Sequence, residues 1–233
     1  MFSLNDPIEY APGQFATADF ILEHIFPILT KERQEKIVTV TKQRCFDVTV
    51  VLENIYDRGN TSAVMRTGEG LGFADFQLIE TFDKFKESNR VTQGADKWVE
   101  IKKWKSTAEA IQHFKKNKIR ICVTSLEAAK PIHEVDFSTP IALVLGNEKN
   151  GISQEILDAA DERVIIPMPG FVQSFNISVA GALCLYQIFQ NRLNKRGKNA
   201  DVTEQQIKIL NAHYALRTLD SAADILKDRK SVV

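Results

Sequence analysis

The sequence predicts an α/β protein built on a mostly parallel sheet, and three observations lead to that prediction. Several short runs of the 233-residue chain are almost continuously apolar, which is typical of strands buried on both faces. Segments with apolar residues at three- and four-residue steps, typical of helices, alternate with these runs. Because strands that alternate with helices form parallel sheets, the chain falls in the α/β class. The composition, 44% hydrophobic and 26% charged, is that of an ordinary globular protein.

The elements follow in order along the chain. Residues 18–44 repeat apolar side chains at helical spacing on either side of Pro27, which predicts a kinked or split N-terminal helical segment. Strands are predicted at five apolar runs: Phe46–Leu52, Phe76–Ile79, Ile119–Val123, Pro140–Leu145 and Val164–Ile166. Helices are predicted over four segments: Asn60–Gly70, Thr107–Asn117 with Thr107 as its cap, Ser178–Arg192 and Thr203–Leu226.

Charge and composition exclude several classes of protein. The three cysteines and four histidines are scattered, so neither a disulfide framework nor a metal site is expected. No apolar run approaches the ~18 residues that span a bilayer, and the N-terminus lacks a signal-like pattern, so a cytoplasmic protein is expected. The net charge is zero, but residues 31–44, 97–120 and 192–198 are locally basic. These segments fit either contacts with phosphates or ordinary solvated helix faces.

The candidate ligand site lies in the loops that follow the predicted strands. Ligands of open α/β sheets bind at the carboxyl ends of strands. Four such loops are polar and contain glycine or small residues: residues 53–66, 124–126, 146–153 and 167–176. The glycines at 68, 70 and 72 do not form a dinucleotide-binding motif, because they follow a helix instead of opening one. The sequence therefore predicts one site to which four loops contribute.

Three blocks within these loops resemble the SpoU family of RNA 2′-O-ribose methyltransferases, and specifically its TrmH-like tRNA guanosine branch. The first is Asn-Thr-Ser-Ala-Val-Met-Arg-Thr at 60–67, and the second is Leu-Val-Leu-Gly-Asn-Glu-Lys-Asn-Gly-Ile-Ser at 143–153. The third is Ile-Pro-Met-Pro-Gly-Phe-Val-Gln-Ser-Phe-Asn-Ile-Ser-Val-Ala at 166–180. The order and spacing of the blocks fit the family, and the resemblance covers about two thirds of the chain, from Phe46 to Arg192.

The resemblance implies a fold and an activity. It implies a SPOUT-type domain at residues 46–195 that ends in a trefoil knot, between helical extensions at 1–45 and 196–233. It also implies a homodimer that uses S-adenosyl-L-methionine as cofactor and tRNA as substrate, with guanosine 18 of the D-loop as target. The short N-terminal segment favours the tRNA branch, because relatives that act on ribosomal RNA often carry a separate RNA-binding domain there.

Five residues of the three blocks are the catalytic candidates that the resemblance implies. Arg66 matches the catalytic arginine, either as general base or, since an ordinary guanidinium stays protonated, as the group that positions a phosphate and the hydroxyl. Asn60 would cap its helix, orient Arg66 or orient the target ribose. Glu148 would pair with Arg66, anchor Asn176 or be a plain turn carboxylate. Ser174 and Asn176 would contact the substrate or merely cap the following helix.

The cofactor candidates also come from the resemblance. They are Thr124, Leu145, Gly146, Ile166, Met168 and Phe175, which would hold the cofactor through backbone and apolar contacts. Position 175 departs from the family, which usually has leucine there. The structural alternative is that Ile166 and Met168 belong only to the core.

Two other functions compete with methylation of tRNA at guanosine 18. One is 2′-O-methylation of ribosomal RNA or of another tRNA position. The other is a non-catalytic RNA-binding factor on the same fold, against which the joint presence of all five catalytic candidates argues.

Overall fold

The computed structural model describes residues 4–81, 94–127 and 129–230. The chain divides into two compact units, one formed by Cys45–Asn199 and the other by the segments that end at Arg44 and begin at Ala200. Among the described residues, no helix is both long enough and apolar enough to cross a membrane.

Nine strands and eight α-helices make up the described chain. The strands are β1 Ile8–Ala11, β2 Gln14–Ala16, β3 Cys45–Glu53, β4 Phe73–Ile79, β5 Glu100–Trp104, β6 Arg120–Thr124, β7 Lys130–Pro131, β8 Ile141–Leu145 and β9 Glu162–Ile165. The helices are α1 Ala18–Ile25, α2 Lys31–Thr41, α3 Arg58–Gly70, α4 Thr107–Lys116, α5 Gln154–Ala159, α6 Ile177–Arg196, α7 Glu204–Thr218 and α8 Ala222–Lys230. Three 3₁₀ turns lie at Phe26–Ile28, Ala95–Trp98 and Ile132–Glu134.

The larger unit is built on a seven-stranded sheet of order β5-β4-β3-β8-β6-β9-β7, and all its strand pairs are parallel. Every residue of β8 is buried, and the last six residues of β3 are buried as well. The predicted α/β class and the strands buried on both faces are therefore confirmed. The trefoil knot stays a prediction.

The predicted helix cap at Thr107 is wrong, and the cap that was one alternative for Asn60 is not observed. The hydroxyl of Ser106, and not that of Thr107, accepts from the backbone N–H of Glu109, so Thr107 is the first helical residue of α4. Helix α3 begins at Arg58, because the carboxylate of Asp57 caps it and accepts from the N–H of Gly59 at 2.7 Å. Asn60 is thus the third residue of α3 and not its cap. Its side chain is free to make a contact outside the helix.

Several elements differ from the predicted boundaries. The segment predicted as one helix from Thr203 to Leu226 is broken by a turn between α7 and α8. The strands β5 and β7 and the short helix α5 were not predicted. Strand β5, Glu-Ile-Lys-Lys-Trp, carries three charged residues in five, so its sequence lacks the apolar run that marks the central strands.

Strands β3, β4 and β5 carry a polar network, which we call the Asp75 cluster. The hydroxyl of Thr49 donates to the Asp75 carboxylate, and the Gln77 side-chain amide donates to the same carboxylate at 3.2 Å. The indole N–H of Trp104 donates to the side-chain carbonyl oxygen of Gln77 at 2.7 Å. The ammonium of Lys102 lies 3.8 Å from the centre of the Trp104 ring. The cluster thus links the side chains of three neighbouring strands.

The smaller unit packs helices from both ends of the chain. Helix α1 contacts α7 and α8, and α2 contacts α7. The helical turn at Phe26–Ile28 with Pro27 separates α1 from α2, which confirms the predicted split. A buried hydrogen bond of 2.8 Å runs from Nε of Arg44 to the hydroxyl of Tyr214. These contacts join sequence segments more than 150 residues apart into one unit.

Candidate functional site

The four loops that were predicted to form one site leave the same edge of the sheet. They follow β3, β8, β6 and β9, which are consecutive neighbours in the strand order. Because all four strands run parallel, their carboxyl ends lie along one edge. The loops therefore emerge side by side, and two of them are joined by direct side-chain contacts.

Glu148 is the group that joins the loop after β8 to the loop after β3. Its carboxylate accepts from the backbone N–H of Tyr56 at 2.8 Å and from that of Asp57 at 3.2 Å. It also accepts from the side-chain amide of Asn60 at 3.0 Å. Within the described chain, Glu148 binds these three donors and neither pairs with Arg66 nor anchors Asn176. Sequence reasoning brought Asn60 and Glu148 to one site but did not foresee that they bind each other.

The same donors determine the ionisation of Glu148. Burial by itself would raise its pKa, but the hydrogen bonds from Asn60 and from the backbone of Tyr56, Glu148 and Asp57 outweigh it and hold the pKa below its ordinary value. These donors favour the charged carboxylate. Glu148 is thus an ionised, exposed side chain whose position is fixed from several directions.

Four further residues support this loop pair and were not singled out from the sequence. The side-chain amide of Asn147 donates to the carbonyl of Asn54, a residue in the left-handed region at φ 51°. The Glu53 carboxylate accepts from the N–H of Ser153 at 2.9 Å, although Glu53 is almost fully buried. The only available signal was their position, at the end of β3 and in the loops after β3 and β8, where polar residues follow apolar runs.

The loop after β8 is a tight turn that requires glycine at 146. Asn147 and Gly151 exchange two backbone hydrogen bonds of 2.8 and 2.9 Å, which closes the turn. A Cβ at Gly146 would lie 2.5 Å from the carbonyl carbon of Gly151 and 2.6 Å from its oxygen. No side chain fits at this distance, so the turn that presents Glu148 depends on Gly146.

Arg66 lies in the fifth-last position of α3 with its side chain exposed, while Val64 on the same helix is fully buried. Helix α6 approaches α3 closely at Gly181, where a Cβ would lie 2.9 Å from a methyl group of Val64. Arg66 follows Asn60 by six positions, so the two side chains leave α3 about 120° apart. The amide of Asn60 donates to Glu148, and the structure does not bring it to Arg66.

Of the two candidates before α6, Asn176 is the one that caps the helix. Its side-chain oxygen accepts from the backbone N–H and from the hydroxyl of Ser178. Ser174 does not cap the helix and lies exposed in the preceding loop. Capping is thus observed for Asn176 and not for Ser174, and it uses the side-chain oxygen of Asn176. Neither residue joins the hydrogen bonds of Glu148.

The six cofactor candidates occupy the ends of three neighbouring strands. Leu145 and Gly146 are buried at the end of β8, and half-buried Thr124 ends β6. Ile166 and Met168 are half-buried just after β9, whereas Phe175 is 36% exposed before α6. The order β8-β6-β9 therefore places the first five at or just after the ends of neighbouring strands, and Phe175 lies further along the segment that follows β9.

The same loops expose an unusual amount of apolar surface. Leu126 is 62% exposed in the loop after β6, and Val172 is 64% exposed in the loop after β9. Phe171, beside Val172, is fully exposed. Exposed apolar side chains on adjacent loops mark a surface suited to a ligand with apolar parts.

Comparison with known proteins shows which family this chain resembles. Residues 47–186, which include all three motif blocks, match the SpoU rRNA Methylase family. A tRNA (guanosine(18)-2′-O)-methyltransferase of Borreliella burgdorferi is 36% identical over 80% of this chain and 85% of that protein. The enzyme of that name from Escherichia coli is 34% identical over 70% of this chain and 71% of its own length. The crystal structure of a TrmH/SpoU tRNA modifying enzyme of A. aeolicus superposes with a TM-score of 0.73 at 30% identity, over 81% of this chain and 98% of the other.

Proposed function

This chain belongs to the SpoU methylase family, and we propose that it transfers a methyl group from S-adenosyl-L-methionine to the 2′-oxygen of guanosine 18 in the D-loop of tRNA. The observation that carries the proposal is that the three motif blocks lie at segments that follow β3, β8 and β9, whose carboxyl ends share one edge of the sheet. The names of the relatives from B. burgdorferi and E. coli supply the substrate. In this proposal residues 46–195 are the catalytic domain, and residues 1–45 and 196–233 flank it.

The adjacent loops fit the cofactor. Thr124, Leu145, Gly146, Ile166, Met168 and Phe175 offer backbone polar groups and apolar side chains on neighbouring strands. The exposed apolar residues at 126, 171 and 172 extend that surface toward solvent. When bound there, S-adenosyl-L-methionine supplies the electrophilic methyl group. The protein has to orient the ribose 2′-hydroxyl for in-line attack and help to remove its proton.

Arg66 is the group that we assign to the reacting hydroxyl. Its guanidinium holds an RNA phosphate and positions the 2′-oxygen for attack on the methyl group. Glu148 acts through the backbone of the β3–α3 loop and through Asn60, whose carbonyl oxygen remains available to the ribose. Ser174 and Asn176 contact the substrate from the loop before α6.

Methyl transfer tests the proposal directly. Labelled S-adenosyl-L-methionine is supplied with unmodified tRNA, and the transcript is compared with one in which guanosine 18 is replaced by another nucleotide. We expect label on the first transcript only. Equal label on both would move the target to another tRNA position. Label on ribosomal RNA but on neither tRNA would replace tRNA as the substrate, and cofactor binding without any transfer would indicate an RNA-binding factor.

We also propose that the protein forms a homodimer through α6. Val179, Leu183 and Tyr186 are between 42 and 55% exposed and lie at i, i+4 and i+7, on one face of this helix. A second copy of the chain would cover this apolar stripe. Leu183→Lys should shift the mass measured by light scattering from two chains to one, whereas Leu126→Lys, at another exposed leucine, should leave it at two.

A tRNA substrate implies a cytoplasmic location for the protein.

A further inference from the structure

Tyr56 presents an exposed aromatic ring on a fixed piece of backbone. Its N–H donates to Glu148 at 2.8 Å, and its neighbour Ile55 is buried in the core. Asp57, which follows it, caps α3. The main chain at Tyr56 is thus held on both sides, yet the tyrosine itself is 73% exposed. The contacts that fix this loop are made by the backbone and not by the ring.

Lys149 lies beside this ring. It follows Glu148 in the turn after β8, where its own N–H donates to the side chain of Asn147 at 2.8 Å. Its ammonium lies 5.3 Å from the centre of the Tyr56 ring, within the range of a cation–π contact. Such contacts are weak at exposed sites, so Lys149 can leave the ring for a stronger anionic partner.

The pair has the chemistry of a nucleotide site. An exposed aromatic ring stacks on an unpaired base whatever its identity, since every base has a π-face. A neighbouring ammonium neutralises a phosphate of the same strand. Glu148 joins the two halves, because it binds the backbone of Tyr56 and precedes Lys149 in the chain. The same carboxylate holds Asn60, so the pair adjoins the catalytic candidates.

We infer that Tyr56 and Lys149 form a binding site for an unpaired nucleotide of the RNA substrate, next to the nucleotide that is methylated. The base stacks on the Tyr56 ring, and Lys149 moves from the ring to the phosphate. This inference rests on the proposed function. It assigns to the loop pair a role in substrate affinity that is separate from the chemistry of methyl transfer.

The first test separates affinity from turnover. Tyr56→Ala should raise the KM for tRNA by about 5- to 150-fold, the equivalent of one lost base stack, with a smaller change in kcat. Tyr56→Phe keeps the ring and should behave like the wild type. Phe15→Ala, at an exposed aromatic residue of the β1–β2 hairpin, is the matched control and should leave the KM unchanged. Cofactor affinity and the thermal midpoint of Tyr56→Ala should equal those of the wild type, because the backbone N–H of residue 56 remains.

A second test detects the stacked base. 2-Aminopurine is placed in the tRNA at each position flanking guanosine 18, and its fluorescence should be quenched by the wild type at one of them. Tyr56→Ala should abolish this quenching, and Lys149→Ala should reduce the dependence of tRNA affinity on salt concentration. An unchanged KM for Tyr56→Ala, or quenching that survives it, would overturn the inference. An inactive wild-type protein would instead remove the proposed function.

Discussion

The pKa values of two carboxylates, one in a turn beside the parallel sheet and one within it, are shifted in opposite directions. Glu148, in the turn after β8, is exposed, and its hydrogen bonds outweigh burial and lower its pKa. Asp75, within β4, is half-buried, and burial raises its pKa to about 6 although Thr49 and Gln77 donate to it. The more exposed group is therefore the one whose charge is better stabilised.

The two pKa values differ because the turn at Glu148 and the strand at Asp75 provide different hydrogen-bond donors. Glu148 meets the start of α3, where backbone N–H groups have no partner inside the helix and are available to an acceptor. Asp75 lies inside a strand, where the backbone donors are used by the sheet and only side chains remain. The loop edge thus holds a charge in place for chemistry, whereas the Asp75 cluster serves to link strands.

The largest expected effect follows from removing the cation of each region. Arg66→Ala should lower the kcat of methyl transfer by about 10²- to 10⁴-fold, because the reacting hydroxyl loses the group that positions it. Lys102→Ala, in the Asp75 cluster, is the control and should leave kcat unchanged. Cofactor affinity, measured by calorimetry, should stay the same in both. Equal losses of cofactor affinity and turnover in Arg66→Ala would show that Arg66 is structural.

A smaller loss of activity is expected when each carboxylate is replaced by its amide. Glu148→Gln puts an NH₂ group where one oxygen accepts from a backbone N–H, so the β3–α3 loop shifts and kcat should fall about 10- to 100-fold. Asp75→Asn should leave kcat within a factor of two. Single-turnover rates with saturating tRNA provide the measurement. If both variants retained full activity, Glu148 would have no part in positioning the site.

The sequence predicts the loop edge better than the Asp75 cluster, for a physical reason. Apolar runs reveal the buried strands β3, β6 and β8, and parallel strands bring their following loops together, so Asn60 and Glu148 could be placed at one site. Their mutual hydrogen bond depends on where α3 begins. That boundary was missed, because Asn60 and Asp57 are both good caps and only the folded loop selects Asp57.

The Asp75 cluster has no local signature. Asp75 interrupts the apolar pattern of β4, so only the last four residues, Phe76–Ile79, were predicted as a strand, although β4 begins at Phe73. Trp104 lies on β5, which was not predicted. The contacts of the cluster join residues 26 and 27 positions apart and depend on the register of the sheet. Register is a tertiary property that one sequence does not display.

The Asp75 cluster should affect stability instead of activity. Since the pKa of Asp75 is raised in the folded state, that state binds more protons than the unfolded chain between about pH 4 and 6. The free energy of unfolding should therefore fall as pH rises through this window. Asp75→Asn lacks this loss and should be more stable than the wild type at pH 7.5, by about 1 to 2 kcal/mol. Urea unfolding at pH 5 and pH 7.5 measures the free energy of unfolding of both proteins. If Asp75→Asn differed from the wild type by the same free energy at both pH values, the prediction would be wrong.

The smallest expected effect is a change in the pKa of a single side chain. Carbon-detected NMR titration can follow Glu148 and Asp75 separately. Glu148 should titrate below its ordinary value of 4.5, and Asp75 near 6. The sign for Glu148 is opposite to that for Asp75: its stabilising contribution is present above its unfolded pKa and is lost as pH falls through its folded pKa. Asn60→Ala removes one donor and should move the Glu148 pKa upward while that of Asp75 stays fixed. If the Glu148 pKa did not move, the backbone N–H groups of Tyr56 and Asp57 alone would account for its ionisation. Glu148 would then orient the side chain of Asn60, and Asn60 would not stabilise the charge of Glu148.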